Sequence, residues 1–423
     1  MLNPLAVRTI VLVSGERFPV LVSRATGEPV FEPTVYSINE LRATNKAANT
    51  IEHALRSVML LLFFLDVRNI DLAQRMREGR VLDVGEIDAL SALCREPTGG
   101  VLLAAAGIQQ QSSQRVAHAA LEKVRNNPKR HSAKQVCSAT AANRIRAIRD
   151  YLGWLVNGYL SRQGGPAALE AAWMRCRFTL DARVPGKRNR DSIGQREGLP
   201  PDVLKRLLTV ASPDAAENPW RSRHAKVRNY LLIRWLSDLG LRRGELLNVK
   251  ISDIDFRAEQ VTIARRSDDP GDPRRHQPLV KTRDRIIPLS AQLCSLTLSY
   301  VTSIRSQLRG ARRHEFLIVA DRSGAPMSLS ALNDVFAGVR RAFPGEFQNL
   351  EPHVLRHTWN DRFSEAMDKA GVTPDDEHQM RAFLMGWSPT SKTAHTYTRR
   401  HTRRKARTVS LAMQTVQFER AKK

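Results

Sequence analysis

Only four cysteines occur in 423 residues, Cys94, Cys137, Cys176 and Cys294, and they form no CxxC pair and no Cys/His cluster at metal-ligand spacing. That excludes a zinc finger or ribbon and a disulfide framework, and it fits reduced thiols in a cytoplasmic compartment. Long apolar runs are missing as well: the longest, Val58 to Leu65, is less than half of the roughly 20 residues a helix needs to cross a bilayer, so it reads as a buried helix. Arg8 is not followed by a continuous apolar stretch with a small-residue cleavage site, so no secretory signal is expected. Internal repeats and low-complexity tracts are absent too. Acidic residues are scarce relative to basic ones, 42 against 67, which leaves a formal charge of +25 and a pI near 10.8. On a chain of ordinary globular composition, 42% hydrophobic, such an excess points to nucleic acid, where neutralising phosphates releases counterions. An acidic membrane surface, or no charged partner at all, is the alternative.

The length exceeds what one core usually serves, so two or more domains are expected. Residues 1–40 read as a β-rich extension, with VRTIVLVSGERFPVLV forming a hairpin around Gly15 and Glu16. Residues 41–181 turn helical: NTIEHALRSVMLLLFFLD, IDLAQRMREG and GEIDALSALC are successive helix candidates. In SATAANRIRAIRDYLGWLVNGYL, Ile145, Ile148, Leu152 and Leu155 make an apolar seam flanked by Arg144, Arg146 and Arg149, each as fit for solvent as for a phosphate. Residues 182–198 lack periodicity and read as a basic linker. Its Arg183, Lys187, Arg188 and Arg190 are placed to follow a nucleic-acid backbone, although a solvated linker explains them equally. Residues 199–398 supply a second, larger domain: LPPDVLKRLLTVA and VRNYLLIRWLSDLG as helices, LLNVKISDIDFRAEQVTIA and RDRIIPLS as short strands, and between the strands a long hairpin loop that ends at Lys281. A basic tail, 399–423, closes the chain with a short helix over TVSLAMQTVQF.

Three stretches of the second domain carry chemistry. In GLRRGELLNVKISDID, Arg242 follows Gly240, and Glu245 three residues on is its ordinary local ion-pair partner. In EPHVLRHTWN, His353 and Arg356 share a face if a helix begins at Pro352. In LMGWSPTSKTAHTYTRRHTRRKAR, Tyr397 is followed by a basic run without an acid, a setting that none of the other five tyrosines has. A phosphodiester can be cut without metal or ATP by a nucleophile, a cationic clamp for the phosphorane and an acid for the leaving oxygen. A tyrosine, paired arginines and a lysine supply them. Guanidinium suits the clamp because it stays charged and presents a planar fork of donors.

Together these stretches resemble the tyrosine recombinase, or phage integrase, family over roughly residues 199–410. The family pattern runs Gly-Leu-Arg-x-x-Glu-Leu, a hairpin Lys, His-x-Leu-Arg-His-Thr, Leu-Gly-His or Leu-Gly-Trp, and the Tyr. The resemblance implies a mainly α fold with a small β-sheet. It would comprise a helical, SAM-like core-binding domain that clamps DNA with 41–181 and a mixed α/β catalytic domain of the tyrosine recombinase type. It implies that Arg242 and Arg356 hold the scissile phosphate, that His353 assists proton transfer, and that Lys281 protonates the departing 5′ oxygen. Tyr397 would form a 3′-phosphotyrosyl bond, and Trp387 would stand where His is usual. Glu245 would support the first arginine and His357 the helix; His395 lines the approach to Tyr397. The implied partner is double-stranded DNA, bound by a homotetramer on two sites in a prokaryotic cytoplasm, at the nucleoid, with no cofactor, metal or membrane.

Alternatives stay open on the residues alone. Lys250 competes with Lys281 as the acid, Trp387 can be simple core, and the final helix can pack on its own domain. The same constellation serves a type IB topoisomerase, and a noncatalytic DNA-binding accessory protein of the same fold is the other reading. Two intervals are longer than the family pattern: from Arg356 to Trp387, where MDKAGVTPDDEHQ reads as an inserted acidic turn, and from Trp387 to Tyr397.

Overall fold

The computed structural model describes residues 4–97, 135–163, 166–186, 197–280, 282–388 and 399–420. The chain divides into two compact units, Met1–Leu12 with Arg17–Asp191 and Val13–Glu16 with Ser192–Lys423. Helices dominate among the described residues, with a two-stranded and a three-stranded antiparallel sheet. Lys281, Tyr397, His395, Lys187, Arg188 and Arg190 lie outside the described residues.

In the first unit, strands β1 (Leu5–Val11) and β2 (Arg17–Ser23) pair from Leu5↔Ser23 to Val11↔Arg17. Leu21 seals this hairpin onto Ile51 and Leu55 of the helix Ala48–Val67, so the β-rich segment packs on the helices that follow it. Helix α1 (Phe31–Tyr36) precedes that long helix, α2, in which Val58, Leu61 and Phe64 of the apolar run are buried as expected. Helices α3 (Leu72–Arg77) and α4 (Val84–Leu93) start at aspartates whose side chains cap the backbone: Asp71 accepts from Gln74 N, and Asp83 forms a capping box with Glu86. Glu86 also receives both terminal nitrogens of Arg75, at 2.6 and 2.8 Å. Helix α5 (Ser138–Gln163) buries Ile145, Ile148 and Leu152, the predicted seam, against α6 (Ala167–Arg183) and α2.

The second unit is built from α7 (Pro201–Ala211), α8 (Arg223–Leu239), α9 (Arg243–Asn248), α10 (Ala291–Ser299), α11 (Leu329–Ala342), α12 (Pro352–Lys369), α13 (Pro374–Met385) and α14 (Arg399–Arg420). Strands β3 (Ile254–Asp255), β4 (Gln260–Ile263) and β5 (Arg285–Pro288) form its sheet in that order. Trp235 of α8 sits at the centre of the core, and its indole N–H is satisfied by Thr297 Oγ1 at 3.0 Å.

Three expectations need correction. The strand anticipated from Leu246 is the helix α9 instead, because Glu245 turns back to accept from the Arg242 backbone N–H and starts a helical turn there. The acidic turn in MDKAGVTPDDEHQ is largely helix: Thr373 caps α13, and Asp375, Asp376 and Glu377 occupy its first turn, where negative charge meets the positive end of the helix dipole. The short tail helix is a 22-residue one, since the basic run before it holds good helix formers and no glycine or proline. Arg403 and Lys405 anchor it to Glu197 and Asp368.

A β-carbon added at Gly153 of α5 would stand 2.9 Å from the Trp173 ring on α6. Replacing glycine within a helix ordinarily helps, but overpacking against a rigid ring costs about 1–3 kcal/mol. Gly153→Val is therefore expected to lower stability by about 2 kcal/mol in a urea titration. An unchanged or raised midpoint would contradict the close approach of the two helices.

Candidate functional site

The second unit gathers its charged residues around one carboxylate. Gly240, with φ of 61°, ends α8 in the left-handed conformation that a side chain resists, and the chain turns there to begin α9 at Arg242. Glu245, in the first turn of α9, is fully buried. Arg242 Nη1 lies 3.3 Å from its Oε1, Arg285 Nη2 3.0 Å from its Oε2, and Arg356 Nη1 3.7 Å from its Oε2. The Thr282 hydroxyl donates to Oε1 at 2.7 Å. Burial alone pushes the Glu245 carboxyl up, yet Arg356, Arg285 and Arg242 together with that hydroxyl hold it down at about 2. Three guanidinium groups thus share one carboxylate, and the cluster carries excess positive charge.

Arg356 comes from the first turns of α12, which starts at Pro352 as the sequence predicts. Its side chain is wholly buried: Nη1 donates to the Gly240 carbonyl at 2.7 Å, Nη2 to the Met385 carbonyl at 3.4 Å, and the guanidinium carbon sits 5.5 Å from the centre of the Trp387 ring. Trp387 follows Gly386, itself at φ 65°, and packs with Met385, Ala382 and Trp359. His353, half-buried one turn before Arg356, meets the buried His357 edge-on at 5.1 Å.

The structure therefore brings Arg242, Arg356, Glu245 and Trp387 together, with His353 and His357 on the same helix as Arg356. Sequence reasoning missed Arg285 and Thr282. The signal for Arg285 was its phase, since it shares the buried face of β5 with Ile287 while Ile286 points out. A charge in phase with the core needs an opposite one nearby. Lys250, the competing acid, is engaged elsewhere: its ammonium pairs with Asp269 at 2.7 Å and lies over the Phe316 ring. The hairpin loop itself is strapped down by buried Arg274, which donates to the Leu247 and Met327 carbonyls and pairs with Asp272.

In the first unit the candidate DNA contacts have structural neighbours. Arg144 donates to the Cys94 and Glu96 carbonyls, Arg149 pairs with Asp150 and Asp181, and Arg183 pairs with Asp88. Arg146 is exposed. Among the described residues no group of three or more His, Cys, Asp or Glu side chains is assembled to hold a metal, and no helix is long and apolar enough to cross a membrane.

Because its carboxyl is depressed from 4.5 to about 2 on folding, Glu245 contributes stability in full above pH 4.5 and loses it as pH falls toward 2. Glu245→Gln is expected to cost about 3 kcal/mol or more at pH 7, by leaving three buried or half-buried guanidinium groups without their counter-charge. In urea titrations the gap between the two proteins should narrow below pH 4.5; a gap of constant size down to pH 2.5 would show that Glu245 carries no buried charge.

Comparison with known proteins places the chain. Residues 197–404 match the family model described as the phage integrase family. A tyrosine recombinase of Pseudothermotoga lettingae is 25% identical over 161 residues, 38% of this chain and 48% of that protein. Tyrosine recombinase XerC of Staphylococcus aureus is 22% identical over 225 residues, 51% of this chain and 65% of that protein. The matched stretch thus spans between about half and just under two thirds of these relatives. Among solved structures, XerA recombinase is similar at 18% identity and a TM-score of 0.36, covering 84% of this chain and 89% of that one. The Tn1549 transposon integrase in complex with a circular intermediate DNA is similar at 14% identity and a TM-score of 0.41, covering 69% and 92%. Over residues 197–404, where the arginines meet at Glu245, this chain belongs to the phage integrase family, the tyrosine recombinases.

Proposed function

We propose that this protein is a site-specific DNA recombinase that cleaves and rejoins strands through Tyr397. The observation that carries the reading is the cluster at Glu245, where two arginines more than a hundred residues apart in sequence reach the same carboxylate and leave an excess of positive charge. Such a cluster favours an anion with several oxygens, and a phosphodiester meets that description in a chain of net charge +25.

In this reading Tyr397 attacks the phosphorus in line, its oxygen bonds to the 3′ phosphate, and the 5′ oxygen leaves with a proton from Lys281. Arg242 and Arg356 stabilise the charge that builds on the non-bridging oxygens, and His353 assists proton transfer. A 5′ hydroxyl of the partner duplex then attacks the phosphotyrosine and releases the tyrosine. One phosphoester replaces another, so the bond energy is conserved and ATP is not consumed. Arg242, whose side chain is 26% exposed, is the guanidinium a phosphate meets first. Arg356 is wholly buried beneath Trp387, so its engagement with a phosphate requires the indole to shift. Trp387, packed over Arg356, stands in this reading as the wall of the phosphate pocket.

The exposed Val409 and Met413, one turn apart on α14, offer an apolar edge suited to a neighbouring protomer in a tetramer on two DNA sites. Arg146, with the linker's Lys187, Arg188 and Arg190, would add phosphate contacts from the rest of the chain, together with any of Arg144, Arg149 and Arg183 that exchange a carboxylate or carbonyl for DNA.

With a nicked suicide substrate, the full chain should become covalently linked to DNA and Tyr397→Phe should not, while both bind with equal affinity. A Phe variant that still links to DNA would remove Tyr397 from the mechanism. Affinity should fall steeply with salt, since most contacts go to phosphates, by about 1,000-fold or more between 50 and 200 mM if six or more phosphates are engaged. A flat salt response would contradict a phosphate-dominated interface.

A further inference from the structure

Arg285 has no part in the roles assigned above, yet its guanidinium reaches three separate segments. Nη2 reaches Glu245 Oε2 at 3.0 Å, Nη1 reaches Thr282 Oγ1 at 3.1 Å, and Nε donates to the Leu384 carbonyl at 2.7 Å. Its side chain is 2% exposed. The same junction is closed by the backbone, where Arg283 N donates to the Gly386 carbonyl at 3.0 Å. It is also tight: a β-carbon at Gly386 would stand 2.8 Å from Arg285 Nη1 and 2.9 Å from both Arg283 O and Thr282 Cβ.

Each of the three segments adjoins a residue of the proposed chemistry. Thr282 is the next residue after Lys281, Gly386 precedes Trp387, and Glu245 is the carboxylate shared by Arg242 and Arg356. We propose that Arg285 is a positioning residue: its guanidinium keys the segment after Lys281 and the turn before Trp387 to Glu245, and so registers the acid of the reaction against the arginine clamp. This rests on the reading of Tyr397 as nucleophile and Lys281 as acid. A lysine cannot replace it here. Its ammonium is a compact charge at the end of a flexible stem, whereas the planar fork of Arg285 spans a carboxylate, a hydroxyl and a carbonyl at once.

The test separates misplacement of the acid from general damage. In a substrate whose 5′ bridging oxygen is replaced by sulfur, attack forms the tyrosyl O–P bond, breaks P–S and expels a thiolate, a leaving group that needs no proton. The full-chain Arg285→Lys variant should cleave the oxygen substrate about 100-fold more slowly in single turnover, the scale of loss that follows a misplacement of about 1 Å. DNA affinity should be unchanged, and the sulfur substrate should restore the rate. Wild-type cleavage of the oxygen substrate, or equal slowing on both substrates, overturns the proposal. Thr282→Val, which keeps the shape and removes only the hydroxyl, serves as the second variant and should show a smaller slowing that sulfur also erases. Should Arg285→Lys fail to fold, wild-type kinetics in Thr282→Val would overturn it. Lys281→Ala distinguishes this failure from failure of the reading beneath it. If sulfur rescues Lys281→Ala but not Arg285→Lys, the positioning role alone falls; if sulfur does not rescue Lys281→Ala, the acid is misassigned and the proposal falls with it.

Discussion

A buried carboxylate that must stay ionised governs the second unit. Removing Glu245 from water costs several kcal/mol, and the fold recovers this only by bringing cations to it with good geometry. One arginine would neutralise it. Three arrive, from the turn after α8, the start of β5 and the first turns of α12. Glu245 is thus a packing constraint on each of those elements and the counter-charge that holds mutually repelling guanidinium groups close together.

The elements around that carboxylate present their ends to it. α8 terminates at Gly240 and offers a carbonyl to Arg356; α9 begins at Arg242; α13 closes at Gly386, having offered the Leu384 and Met385 carbonyls to Arg285 and Arg356. Carbonyls at helix C-termini lack intrahelical donors and carry partial negative charge. Arginine side chains fill that need, so the same bonds that finish the helices aim the guanidinium groups.

Much of this was legible in the residues. Periodicity placed α2, α5, α7 and α8, and Pro352 announced the start of α12. His353 and Arg356 stood out because His-x-Leu-Arg-His-Thr is a rare string, and Arg242 because it stands in Gly-Leu-Arg-x-x-Glu-Leu. What escaped was long-range. Arg285 belongs to a four-residue strand, too short for its alternation to be weighed against a solvated loop, and its partners are 40 and 99 positions away. Leu246 and Leu247 look like strand residues in isolation and are helical because Glu245 caps their turn. The acidic stretch that opens α13 was misread because prolines and acids mark turns and helix starts alike. Arg144 and Arg183 were read as equally fit for solvent or phosphate; their partners in the structure, the Cys94 and Glu96 carbonyls and Asp88, sit on other elements that sequence spacing cannot bring near.

The order in which the ribosome delivers these pieces has a consequence. Glu245 and Arg242 emerge early, Arg285 next and Arg356 later, while the carbonyls of Leu384 and Met385 that steady the last two come later still. A chain stalled in synthesis, or cut by a protease before α13, holds an acid and some of its bases but lacks the strap that aligns them. Such a product keeps the buried acid without the carbonyls that orient two of its three guanidinium partners, so the completed cluster waits for the chain to be delivered past Met385.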